Sequence, residues 1–324
     1  MRAVLCKTFG PPESLALEDV PTPTPKPGEA LVEIAYVGLN FFDTLIIENK
    51  YQVKPPPPFS PGGEFSGTIS ALGAGATEFR VGDKVAGSSG FGAAREKITI
   101  PVEQLVKVPD GLGLEKAAGL LITYGTSLHA LKQRARLQKG ETLAVLGASG
   151  GVGIAAVEIG HLMGARVVAC ASSPDKIAFA REHGADEGID YSAEDLREAL
   201  KRVSGGKGID VVYDPVGGDY SEVAVRSMAW KGRFLVIGFA AGAIPKIPLN
   251  LALLKGCDIV GVFWGAFTKQ EPQASRENNA EILAWARDGK LDAHIHAILP
   301  LEQTAEALGM LTRREAKGKV LLKP

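Results

Sequence analysis

Residues 141–153, E-T-L-A-V-L-G-A-S-G-G-V-G, hold the types and spacing best suited to chemistry. Gly147, Gly150, Gly151 and Gly153 follow a short apolar run, Thr142–Leu146, and precede an apolar helical pattern over 152–163. Strand, glycine turn and helix in that order are the setting of a dinucleotide-binding fingerprint. The glycines let the backbone turn sharply and approach a pyrophosphate, whose charge is favoured at a helix N-terminus. The plainer reading is a tight strand–helix junction with small residues for packing. The flanking strand, the helix and the next strand at 165–171 all fall in place, so nucleotide binding is expected here.

The choice of nucleotide turns on the end of that next strand, A-C-A-S-S-P-D-K. NAD-binding folds place Asp or Glu about 20 residues past the glycines, on the ribose 2′-hydroxyl. Ser172 and Ser173 stand at this position instead. A carboxylate there would repel a 2′-phosphate and a hydroxyl would not. Lys176 then falls in the first turn of a helix, against the helix dipole, a placement that makes sense beside an anion. NADPH is therefore expected over NADH. Ser173, Pro174 and Asp175 also make a good helix start by themselves, but that reading leaves Lys176 unexplained.

Two domains are expected from 324 residues, 45% of them hydrophobic. Lys and Arg number 36 against 37 Asp and Glu, a net charge of -1, so neither a nucleic-acid nor a membrane-surface partner is implied. Cys6, Cys170 and Cys257 are widely scattered, which suits a reducing cytoplasm and no disulfide framework. No signal peptide is visible, and no apolar stretch reaches the roughly 18 residues of a membrane span. Up to about residue 123 short β-branched runs (30–37, 67–72, 84–86, 96–100) alternate with Gly and Pro turns, and 20–28 and 55–58 are proline-rich loops. This predicts a small irregular β barrel. Helical texture begins at 119–132. Strands at 142–146, 166–171, 187–190, 208–214, 232–237 and 258–263 then alternate with helices at 175–183, 193–203 and 220–228, which predicts an α/β doubly wound parallel sheet. Helices at 278–288 and 301–313 and a strand at 318–322 are expected to return to the β domain, leaving the nucleotide between two domains.

The runs G-L-N-F-F-D-T, K-Y-Q, P-G-G-E-F-S-G, T-Y-G-T-S-L-H-A-L, G-A-S-G-G-V-G, Y-D-P-V-G-G and G-K-V-L resemble the zinc-independent branch of the medium-chain dehydrogenase/reductases. The nearest group is the NADPH:quinone oxidoreductases of zeta-crystallin type. The resemblance covers nearly the whole chain in order and spacing. It implies a GroES-like catalytic domain at 1–123, a Rossmann NADP-binding domain at 124–265 and a C-terminal segment, 266–324, returning to the catalytic domain. It also implies a homodimer, with edge-pairing through 259–263. Ala144, Glu158 and His161 depart from the usual signature of the branch, which bears on substrate more than on cofactor.

Zinc-dependent relatives ligate metal through a Cys where Asn40 stands and a His where Gly63 stands, so no metal is expected. His294 and His296 alone are too few ligands for a site. Without a Lewis acid, the fitting substrate is a small electrophile that delocalises incoming charge itself, a quinone or an enone. By the resemblance, Asn40, Asp43 and Tyr51 are the candidate catalytic residues. Asn40 would hold substrate oxygen or the cofactor; Asp43 would fix a helix start or a proton network; Tyr51 would donate a hydrogen bond or a proton to an enolate. Cofactor contacts are expected from Asn40, Thr126, Ala148, Ser149, Gly150, Gly151, Val152, Ser172, Ser173, Lys176, Tyr191, Gly238, Phe239, Phe263, Trp264 and Lys319. Two alternatives stand beside the quinone reductase: an enoyl-thioester or alkenal reductase, with Arg95–Lys97 and Arg134–Arg136 as candidate basic contacts, and a non-catalytic NADPH-binding sensor or structural protein.

Overall fold

The structure, a computed structural model, describes residues 1–324. The chain divides into two compact units: Met1–Thr123 with Asn279–Pro324, and Tyr124–Asn278.

The first unit opens with β1 (Arg2–Leu5), β2 (Ala16–Asp19), β3 (Glu29–Leu39) and α1 (Phe41–Ile47). It continues through β4 (Glu64–Leu72), β5 (Lys84–Ser88), β6 (Lys97–Pro101), β7 (Leu105–Lys107) and the short α2 (Leu114–Ala117). In the second unit α3 (Thr123–Leu128) runs into a π-helical turn, His129–Arg134. Then come β8 (Thr142–Leu146), α4 (Gly151–Leu162), β9 (Arg166–Ala171), α5 (Pro174–Glu182), β10 (Glu187–Asp190) and α6 (Leu196–Val203). They are followed by β11 (Ile209–Asp214), α7 (Asp219–Arg226), β12 (Met228–Val236), α8 (Asn250–Lys255), β13 (Asp258–Gly261), α9 (Trp264–Gln270) and α10 (Pro272–Arg287), whose residues from Asn279 onward belong to the first unit. The chain then supplies β14 (Ile295–Pro300), α11 (Thr304–Thr312) and β15 (Lys319–Lys323) to the first unit.

The second unit's sheet runs β10-β9-β8-β11-β12-β13 with every pair parallel. Strand order reverses at β8, so the carboxyl ends of β8 and β11 flank the switch point where such folds bind ligands. Helices cover the inner strands, which read as continuous apolar runs for that reason. Ala144, Leu146, Val168, Cys170, Ile189, Val212 and Phe234 share one core. The first unit's main sheet runs β14-β15-β3-β4-β5-β7, with β6 also on β3. It is antiparallel except for β14 with β15. Val32, Val37, Phe65, Ile69, Val85, Ile100, Val320 and Leu322 fill its core.

The sequence reading missed the strands β1, β2, β7 and β14 and the helices α2, α8 and α9. β2, A-L-E-D, alternates half-buried and exposed residues and pairs only with β1. The helix expected from 278 begins at Pro272, where proline's fixed φ and missing N–H suit a first turn. Past the 265 boundary drawn from the sequence, the second unit continues to Asn278. The three cysteines are free and buried. No helix is long and apolar enough to cross a membrane.

Candidate active site

The glycine turn divides its glycines by purpose. Gly147 has φ +61°, and a Cβ there would lie 2.9 Å from the Val216 side chain. A Cβ on Gly153 would lie 2.2 Å from the Gly147 carbonyl oxygen. Both glycines are required by the turn itself. Gly150 is different: its φ is -75°, and a Cβ would meet nothing nearer than the Gly147 oxygen at 3.5 Å. Its bareness leaves open the N-terminus of α4, where no side chain caps the first-turn amides. Ala148 and Ser149 beside it are buried. An open, uncapped helix start with a bare N-cap fits a pyrophosphate.

At the end of β9, Ser173 caps α5, accepting the Lys176 amide at 3.3 Å. The Lys176 ammonium turns back and donates to the Ser172 hydroxyl, also at 3.3 Å. Capping and a basic face therefore coexist on one turn. On the adjoining strand end, Asp190 Oδ1 accepts from the Ser192 amide and hydroxyl at 3.0 and 2.6 Å. Tyr191 donates its amide to Ala171 and packs its ring 4.6 Å from that of Tyr220. After β11 the buried Asp214 holds its turn, accepting from the Val216 and Gly217 amides and the Ser221 hydroxyl at 2.8, 2.9 and 2.6 Å. The Asp214 carbonyl in turn accepts the Ile237 and Gly238 amides, which sets where Gly238 and Phe239 leave β12. Phe263, expected at a strand end, lies past the end of β13 and precedes α9, 60% exposed. Trp264 lies over Gly125, where a Cβ would come within 2.9 Å of its indole nitrogen. Thr126 is half-buried on α3.

The first unit holds the other group of candidates, a buried polar cluster. Lys319, the first residue of β15, is 2% exposed. Its ammonium donates to Leu39 O at 2.8 Å, Asn40 Oδ1 at 2.8 Å and Glu64 Oε1 at 2.7 Å. These three bonds use every donor the ammonium has. Glu64, 0% exposed, also accepts from the Asn40 amide group at 3.0 Å and from the Ile122 backbone at 2.9 Å. Asp43, one turn into α1, accepts the Asn40 backbone N–H at 2.7 Å and the Gly62 N–H at 3.1 Å. Burial pushes the Asp43 carboxyl up from 3.8 to about 7, against the pull of the Asn40 and Gly62 bonds and the Lys319 charge. Three of the predicted residues, Asn40, Asp43 and Lys319, thus meet in one network. Tyr51 stands outside its hydrogen bonds. The Tyr51 ring stacks on Phe42, centroids 5.4 Å apart, and burial followed by the Asp43 charge raises its phenol above the usual value.

Sequence reasoning missed Glu64, the acceptor that holds Lys319 and Asn40 together. A charge opening an otherwise apolar strand was visible at Glu64 in G-E-F-S-G and at Lys319 in G-K-V-L. Nothing local joins two residues 255 positions apart.

Residues 26–110 match the family model described as alcohol dehydrogenase GroES-like domain, and residues 151–280 match that of zinc-binding dehydrogenase. Quinone oxidoreductase-like protein 2 of Rattus norvegicus is 36% identical, over 99% of this chain and 91% of its own. The chain belongs to the medium-chain dehydrogenase/reductases. It is an oxidoreductase of their quinone oxidoreductase-like group, built on a GroES-like domain and a nicotinamide-nucleotide-binding Rossmann domain. The quinone oxidoreductase of Pseudomonas aeruginosa is 32% identical, over 98% of this chain and 97% of its own. Among solved structures, the Escherichia coli quinone oxidoreductase complexed with NADPH superposes with a TM-score of 0.92 at 26% identity, covering both chains completely.

The zinc in that second model's description finds no donor set at the family position. Asn40 offers an amide already bonded to Lys319 and Glu64. Gly63 offers no side chain, and a Cβ there would come within 2.5 Å of the Phe42 ring. An ammonium already lies against the remaining carboxylate, Glu64. His294 precedes β14 and lies 3.7 Å from Asp292, and His296, the second residue of β14, is exposed.

Proposed function

We propose that this chain is an NADPH-dependent quinone reductase that works without a metal. One observation carries the cofactor choice: the end of β9 presents the Ser172 hydroxyl and the Lys176 ammonium, 3.3 Å apart, where NAD-specific folds carry an acid. A 2′-phosphate there meets a donor and a positive charge. The amides at the start of α4 hold the pyrophosphate, with Ala148, Ser149, Gly150, Gly151 and Val152 forming the turn. On this reading Tyr191 contacts the adenosine phosphate, Thr126 faces the nicotinamide, and Gly238, Phe239, Phe263 and Trp264 contact the cofactor from the ends of the fifth and sixth strands of the parallel sheet. The bound cofactor supplies the hydride.

The remaining work falls to the chain's own groups. A quinone delocalises the incoming charge as a hydroquinone anion, so orientation and a few hydrogen bonds suffice. Lys319 and Glu64 fix Asn40, and through it the start of α1. Asp43, poised near neutrality, is the candidate proton reservoir. A second reading, reduction of enones, draws on Tyr51, whose phenol stacks on Phe42 and would donate its proton to an enolate. A cytoplasmic location belongs to the same proposal. So does a homodimer, in which the free edge of β13 pairs with a second copy. Trp230 on β12, beside that edge strand, and Leu249, Leu253 and Leu254 at α8, which packs on β12, are each more than 70% exposed.

The test is NADPH oxidation against a panel of quinones, enones and enoyl thioesters, each run with and without a chelator. Quinone turnover indifferent to the chelator is the expected result. Loss of turnover on chelation overturns the metal-free reading, and tight NADPH binding with no oxidation by any acceptor favours a sensor.

A further inference from the structure

Thr126 alone escapes burial in the run from Tyr124 to Leu131. Its neighbours are each tied down within the second unit. The Tyr124 hydroxyl donates to Glu158 on α4 at 2.8 Å. Gly125 lies under the Trp264 indole. Ser127 is fully buried, donates to the Val152 carbonyl in the first turn of α4 at 3.0 Å, and shares a 2.9 Å hydrogen bond with the Tyr213 hydroxyl. The proton positions follow from valence. Ser127 has one hydroxyl proton and a carbonyl takes it, so in the second bond Tyr213 donates and Ser127 accepts. Tyr213 is 0% exposed and stands on β11 beside the switch point.

We infer that Tyr213 and Ser127 are positioning residues: the string Tyr213–Ser127–Val152 sets the spacing between Thr126 and the pyrophosphate-binding start of α4. This rests on the cofactor reading above. A nicotinamide dinucleotide is gripped at its phosphates and must present its ring at a fixed distance from them. One helix, α3, carries the residue meant for the ring. The string joins that helix to the phosphate-binding turn and to the central strand through one hydroxyl. Neither residue touches the cofactor; both act through Thr126. The Tyr124–Glu158 bond makes a second tie between the same two helices, so loss of the string loosens α3 without freeing it.

The test uses Tyr213→Phe, which keeps the ring and its packing, and Ser127→Ala, with binding of two ligands measured by calorimetry. NADPH spans both ends of the site, and adenosine 2′,5′-bisphosphate reports only the adenosine end. The expected result for either variant is NADPH binding weakened about tenfold and hydride transfer slowed by about the same factor. Adenosine 2′,5′-bisphosphate should stay within twofold. The pair should be non-additive, the double variant losing little more than one single variant. Equal weakening of both ligands overturns the inference, because the string then only stabilises the unit. So does unchanged NADPH binding and turnover. Should Ser127→Ala fail to fold, Tyr213→Phe decides alone. A wild-type chain that binds adenosine 2′,5′-bisphosphate but not NADPH refutes the ring placement and this inference together. One that binds neither refutes the cofactor reading itself.

Discussion

Lys319→Met removes the one cation from a buried cluster and gives the sharpest prediction. Methionine keeps much of the lysine stem's volume, so the change is mainly electrostatic. It leaves the Glu64 side chain, 0% exposed, without its cation and holding only the Asn40 and Ile122 donors. Leu39 O and Asn40 Oδ1 lose their donor as well. Breaking a buried ion pair from one side costs about 3–5 kcal/mol, because the surviving charge stays desolvated. Set against a total stability of about 5–15 kcal/mol, that is a large part of the whole. The double variant Lys319→Met, Glu64→Gln removes the stranded charge, and it should recover about half of the loss. Urea unfolding followed by circular dichroism measures the total. Hydrogen exchange at Val320, Leu321 and Leu322, the amides of β15, assigns the loss to the first unit. High salt should change nothing, since the pair is shielded from solvent ions. A loss under about 1 kcal/mol, or a double variant as damaged as the sum of its parts, refutes the reasoning.

Asp43 gives a pH signature. Its folded pKa, about 7, lies above its unfolded value, so the folded state binds the extra proton between these two values. Stability should fall as pH rises from about 4 to about 7, by a few kcal/mol at most, and level off above; Asp43→Asn, followed by urea midpoints across that range, should abolish this dependence. Lys176→Glu should raise KM for NADPH at least tenfold and leave NADH nearly unchanged; steady-state kinetics with equal effects on both cofactors would count against the phosphate contact. Tyr51→Phe should lower turnover on an enone more than on a quinone, because the hydroquinone anion is the weaker base, and an unchanged ratio of the two rates rules out the acid role.

The parallel sheet was legible because burial on both faces leaves apolar runs such as T-L-A-V-L and R-V-V-A-C-A, bounded by glycine turns and helices of clear period. The first unit was less legible. Leu105–Lys107 is three residues long and Ala16–Asp19 is half acidic, so their pairing with distant strands makes them strands, not their composition. Within the site, Ser173 announced itself as a cap and Gly147 as a turn. The string Tyr213–Ser127–Val152 and the pair Lys319–Glu64 left no local mark, because each joins residues with no shared periodicity. Lys319 looked like a cofactor contact from its motif; its three donors are all engaged inside the first unit.

The order of strands in the first unit also constrains how the chain comes to be folded. β15 lies between β14 and β3, and Val320, Leu321 and Leu322 register with Leu39, Gly38 and Val37. On a ribosome, β3 soon meets β4 and β6, but its end at 37–39 waits for β15, roughly 280 residues behind it, an interval of tens of seconds at the slower end of ordinary synthesis rates. The intervening segment Tyr124–Asn278 is contiguous and carries its own core, so it can condense first. Until β15 arrives, the end of β3 at 37–39 is open on that edge, while Glu29–Glu33 pair with β6; the unpaired stretch is a short template for strands of neighbouring nascent chains. The newborn polypeptide should therefore lean on chaperones most during the making of its second half.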